Sequence, residues 1–205
     1  MVSYRFSSAC IFLIGLISVG FSFSDAGSLS HLAPPAEERP TAVTDKSTTL
    51  TERFCGVSKD RRATKVFADP DGKSGWHRYQ STKSAPELEL GFGKFAALRP
   101  GSHGRTLIGL EEPGEDIYSY TAYCFERTGR LVYLGFELST AWGWGFREEG
   151  PVRQGALVPE KSGFFDTQND HAVAKPENAE DLSEALKPHL YLKTSDLPFF
   201  DLLRK

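Results

Sequence analysis

His103 stands in PGSHGR, a glycine-rich run just before a strand pattern, where an imidazole is placed to take or give a proton near neutral pH. Such a base needs an acidic partner. Carboxylates gather at Glu111, Glu112, Glu115 and Asp116 around one turn, and at Glu148 and Glu149 after an aromatic run. A glycosidase-like pair requires two carboxyls about 5 to 10 Å apart across a cleft, and spacing in the chain does not set that distance. His103 is therefore the candidate catalytic residue of an exported hydrolase. The competing reading is a solvated loop histidine and charged turns that face water.

Other motifs fall short of the chemistry they resemble. In DPDGKSG, Asp69 and Asp71 open like a calcium loop, but Lys73, Ser74 and Gln80 stand where an oxygen ligand, the turn glycine and the bidentate glutamate belong. A hairpin turn is expected instead. ELELGFGKFAAL carries Gly91, Gly93 and Ala96 in a dinucleotide-like pattern, with Glu111 twenty residues after Gly91. The helix of that motif would have to fit between Lys94 and Arg99, because Pro100 and Gly101 end it, and a parallel crossover needs a dozen or more residues. A bent or bulged strand is the reading retained. Beyond residue 48, His77, His103, His171 and His189 show no zinc spacing, and neither a nucleophile-elbow serine nor a phosphate loop is present. No metal and no cofactor are expected.

The aromatic stretch STAWGWGF is the strongest binding signal. Read as one strand from Val132 to Phe146, its even positions are nearly all large and apolar, including Trp142 and Trp144. A straight strand of that length would reach about 50 Å at roughly 3.3 Å per residue, so a bend is expected near Ser139 to Gly145. The face so formed is either core or, if the sheet curls, a pocket lined by Trp142, Trp144 and Tyr120 for an apolar ligand or a sugar.

These groups must be carried by a domain that crosses a membrane during synthesis. Residues 1–26 have Arg5, an apolar run of about 15 residues from Ala9 to Phe23, and a small-x-small site at Ser24 to Ala26. The run is short of the roughly 18 to 20 residues of a membrane span, which favours a cleaved signal over an uncleaved anchor. Cys10 precedes the apolar core instead of ending it, which argues against lipidation. No second long apolar run follows, so no span is expected after cleavage. Export leaves Cys55 and Cys124 as a disulfide pair. A formal net charge of −3 without a basic block argues against nucleic acid as a partner.

Residues 27–48, rich in Pro, Ala, Ser and Thr, read as a flexible tether, and residues 49–205 as a single β-rich α+β domain. LTERFCGV predicts a helical turn carrying Cys55. TKVFA and WHRYQ predict a hairpin from Thr64 to Gln80. ELELGF predicts a strand with Leu88, Leu90 and Phe92 on one face, and TLIGLEE, IYSYTAYCFE and LVYLGFEL an antiparallel meander. Gly129 favours a three-residue loop after Glu126, since a two-residue loop would demand positive φ at Thr128. That loop pairs Cys124 with Val132, Ala122 with Leu134 and Tyr120 with Phe136. The two-residue alternative places Cys124 beside Tyr133. At the end, Pro176 and Pro188 bracket a helix with Leu182, Ala185 and Leu186 as its apolar stripe, HLYL reads as a short strand, and Ser195 as the cap of a terminal helix through Leu203.

The fold expected is a β-rich antiparallel meander, open or curled into a half-barrel, with one or two short C-terminal helices. The function expected is a non-catalytic binding or structural module of the periplasm or extracellular space. An exported hydrolase or a small carrier with an aromatic-lined pocket is the alternative, and the partner is a small apolar ligand, a sugar or an envelope protein.

Overall fold

A computed structural model describes residues 49–57, 62–89 and 91–204. Residues 1–26 and 27–48, read above as a signal and a tether, lie outside the described residues. A six-residue helix, α1 (Leu50–Cys55), opens the fold. Thr49 Oγ1 accepts from the Glu52 N–H and the Glu52 carboxylate from the Thr49 N–H, a reciprocal cap, and Gly56 ends the helix at φ 70°. Ten strands follow: β1 (Lys65–Asp69), β2 (His77–Tyr79), β3 (Lys94–Pro100), β4 (Thr106–Pro113), β5 (Ile117–Phe125), β6 (Leu131–Thr140), β7 (Trp144–Arg153), β8 (Ala156–Leu157), β9 (Lys161–Asp166) and β10 (Ala172–Val173). A last helix is α2 (Phe200–Leu203).

All pairings are antiparallel. The order is β10-β9-β7-β6-β5-β4-β3-β1-β2, with β8 paired only to β7. The sheet is open: β2 and β10 are its edges, so the predicted meander is present without barrel closure. The β1–β2 hairpin turns on Asp71, whose carboxylate accepts from the N–H groups of Lys73 and Ser74 and from the Ser74 hydroxyl.

Both faces of the sheet are covered. On one, Phe67, Ile108, Leu110, Tyr123, Leu134, Phe136, Leu138 and Trp144 pack beneath the C-terminal segment, which contributes Ala179, Leu197 and Phe199. On the other, Leu107, Ala122, Cys124 and Tyr133 pack under α1. There Cys55 and Cys124 form the predicted disulfide, with a Cα–Cα distance of 5.7 Å.

Several predicted details are corrected. The three-residue loop forms, with the Glu126 N–H bonded to the Arg130 carbonyl at 2.9 Å and Gly129 at φ 82°. A β-bulge then inserts Val132, so Phe125 faces Leu131 but Cys124 faces Tyr133, not Val132. Every pairing beyond it shifts by one, and Ala122 meets Gly135 while Tyr120 meets Glu137. The shift suits packing: Ala122 and Gly135 make a shallow trough in which α1 comes close enough to bridge Cys55 to Cys124. A Cβ on Gly135 would run into the Thr51 hydroxyl.

STAWGWGF is not one bent strand. It is a hairpin, with β6 ending at Thr140 and β7 starting at Trp144. Its even residues Leu134, Phe136, Leu138, Trp144 and Phe146 do share a face, because Leu138 pairs with Phe146, but that face belongs to Tyr123 and not to Cys124. Residues 86–89 form no strand; the N–H groups of Phe92 and Gly93 both bond the Glu89 carbonyl, and β3 starts only at Lys94. The helix predicted after Pro176 is a 3₁₀ turn at Glu177–Ala179 followed by separate hydrogen-bonded turns. So short a stretch has little helical stability of its own, and docking at Ala179 decides its path. HLYL forms no strand; the Leu192 carbonyl accepts from the Leu131 N–H at 2.8 Å, and an isolated bridge, Arg130 to Lys193, follows one residue beyond it. Ser195 lies inside a 3₁₀ turn at Thr194–Asp196 and does not cap α2.

Candidate functional site

A cleft of about 340 Å³ opens between the sheet and the C-terminal segment. It lies at the end of the sheet where β3 and β5 begin and β4 and β6 finish. The strand period of two sends alternate residues into it: Ser119 and Thr121 from β5, Phe136 and Leu138 from β6. Phe92 and Gly93 form one side before β3, Pro113, Gly114 and Ile117 the turn end, and Ala185, Lys187 and His189 the far wall. The wall is held by the Tyr123 hydroxyl, which donates to the His189 carbonyl at 2.8 Å.

Lys94 and Glu112 meet in this cleft at 2.6 Å. Burial alone would pull the Lys94 ammonium down, but the hydrogen bond and the charge of Glu112 outweigh it, with a contribution from Asp69, and the net shift is upward. Asp69 lies directly opposite Lys94 on β1 and Glu112 opposite Ser119 on β5, so one row of the sheet reads Asp69, Lys94, Glu112, Ser119. Apolar walls with a few convergent polar groups are the usual make-up of a small-ligand site.

The residues singled out in the sequence are dispersed. Trp142 is 52% exposed at the tip of the β6–β7 hairpin. Trp144 is buried, and its Nε1–H donates to Asn178 Oδ1 at 3.1 Å. Tyr120 points to the opposite face, where burial pushes its hydroxyl up to about 12. None of the three lines the cleft. His103 sits exposed at φ 55° in the β3–β4 turn. Of the carboxylates considered with it, Glu111 and Glu112 lie at the other end of β4, about 20 Å of strand away, Glu115 and Asp116 in the turn beyond that end, and Glu148 and Glu149 on β7.

On the α1 face a second cavity of about 20 Å³, space for about one water, lies among Thr51, Tyr120, Gly135, Arg147 and Glu149. Glu111 is on this face too. Burial raises its carboxyl, and a hydrogen bond from Tyr118 offsets part of the rise. Among the described residues no group of three or more His, Cys, Asp or Glu is arranged to hold a metal ion, and no helix is long and apolar enough to cross a membrane.

Lys94, Ser119, Lys187 and His189 carry no motif that sequence reasoning could have caught. Their common location depends on strand order and on a C-terminal path without regular structure. No family model matches this sequence, and no curated protein and no solved structure matches it significantly.

Proposed function

We propose that this chain is an exported, non-catalytic binding module whose small ligand sits in the cleft between the sheet and the C-terminal segment. The observation that carries the reading is the cleft itself: about 340 Å³, within the size range of small-ligand sites, with Phe136 and Leu138 below and the accessible Lys94–Glu112 pair at one side. Export is supported by the N-terminal signal pattern and by the Cys55–Cys124 disulfide. The hydrolase alternative has less support, because the length of β4 separates His103, in the turn before it, from the Glu111–Glu112 carboxylates at its far end.

Native mass spectrometry of the full-length gene product, recovered after expression with export, tests this reading. The expected result is a chain shortened by the signal and carrying a small molecule that dissociates on gentle activation, with displacement by added fragments seen at cleft amides. Retention of residues 1–26, or ligand contacts that map to His103 or Tyr120, would count against it.

A further inference from the structure

The row Asp69, Lys94, Glu112 contains two carboxylates and one ammonium. Opposed residues of an antiparallel pair stand about 4.5 to 5.5 Å apart at Cβ, and β1 and β4 flank β3, so the Lys94 side chain has an acidic acceptor on either side. It occupies only one of them. Its Nζ pairs with Glu112 at 2.6 Å, whereas Asp69 is 8% exposed and its Oδ1 is buried with no hydrogen-bond partner among the described residues. A buried carboxylate oxygen without a donor is costly to keep, and the row is one positive charge short of neutral. Lys187, on the far wall, does not supply it, being paired with Glu184 at 2.7 Å.

We infer that the cleft takes a small amphipathic primary amine. The ligand ammonium replaces Lys94 on Glu112, Lys94 turns to Asp69, and the apolar body of the ligand lies on Ile117, Phe136 and Leu138. Two cations then meet two carboxylates, and the orphaned oxygen gains its donor. A carboxylate ligand would add a third negative charge to the row, and a neutral sugar would leave it unbalanced. The inference rests on the cleft being the binding site, and it names the ligand class.

Calorimetric titration of the disulfide-intact chain with n-hexylamine, hexanoate and glucose tests it. Hexylamine is expected to bind saturably and at least tenfold more tightly than the other two. Asp69→Asn and Glu112→Gln are each expected to weaken it tenfold or more. In the unaltered protein, the carboxyl carbon resonance of Asp69 is expected to shift on hexylamine binding, a readout that needs no variant to fold. Tighter binding of hexanoate or glucose at cleft amides overturns the amine assignment and leaves the cleft as the site. So does amine binding that leaves the Asp69 resonance unmoved. If neither these probes nor a broad fragment mixture perturbs any cleft amide, both the amine assignment and the binding reading fail.

Discussion

Glu149 Oε2 accepts from both the backbone N–H and the hydroxyl of Thr51, at 3.0 and 3.1 Å, although 98 residues separate the two. The contact fixes α1 above Gly135 and so sets the height at which Cys55 meets Cys124. Thr51→Val removes one donor to a buried carboxylate and is expected to cost about 1.5 to 3 kcal/mol. Gly135→Ala forces a methyl against that hydroxyl and is expected to cost about 1 to 3 kcal/mol. Urea unfolding with unchanged m-values checks both.

The disulfide closes a separation of 69 residues. In the chain-entropy account a loop of that length contributes about 4 kcal/mol. Cys55→Ala/Cys124→Ala is expected to unfold at lower urea by a matching amount, and the unreduced protein is expected to take up no alkylating label at either position.

The register of β5 against β6 shows where sequence reasoning reached its limit. The β1–β2 hairpin, the antiparallel succession β4, β5, β6 and the three-residue loop at Gly129 were legible, because turn chemistry and short-range patterning specify them, and the cysteine pair was legible from its even count. ELELGF and HLYL were misread as strands, and the short strands β8, β9 and β10 left no pattern to read. The bulge at Val132 was not, since both faces of this sheet are buried and alternation no longer says which parity points where. The hairpin at Ala141 to Gly143 was hidden for a related reason: its two arms keep the same parity, so two strands looked like one. The cleft was the least legible feature. Lys94 and Glu112 come from neighbouring strands, and His189 comes from a segment held by docking rather than by its own propensity.

Trp142 and Trp144 sit two residues apart in opposite environments, 52% and 7% exposed. With Trp76 common to both variants, iodide quenching is therefore expected to fall in Trp142→Phe, which removes the exposed emitter, and to rise in Trp144→Phe, which removes a shielded one and part of the blue-shifted emission with it. Stern–Volmer slopes of the two variants make the comparison.

Glu111 is raised from the ordinary value of 4.5 chiefly by burial. A carboxyl with a folded pKa above its unfolded value holds its proton longer in the native state. Its unfavourable contribution is absent below the unfolded pKa and develops as pH rises through the folded one. Glu111→Gln, which keeps an acceptor for the Tyr118 hydroxyl, is expected to gain in melting temperature relative to wild type between pH 4 and pH 7. A difference independent of pH would refute the assignment.

Ligand entry into the cleft beside Lys94 and Glu112 is the proposal on which the binding reading stands. Amide chemical-shift mapping with a mixed small-molecule library, in wild type and in Ser119→Phe, tests it most directly, because the added ring fills the cleft from β5. Shifts are expected to concentrate at Lys94, Ile117, Ser119 and His189 in wild type, and to be lost in the variant. Shifts centred on His103 or Tyr120, or cleft shifts that survive the added ring, would contradict it.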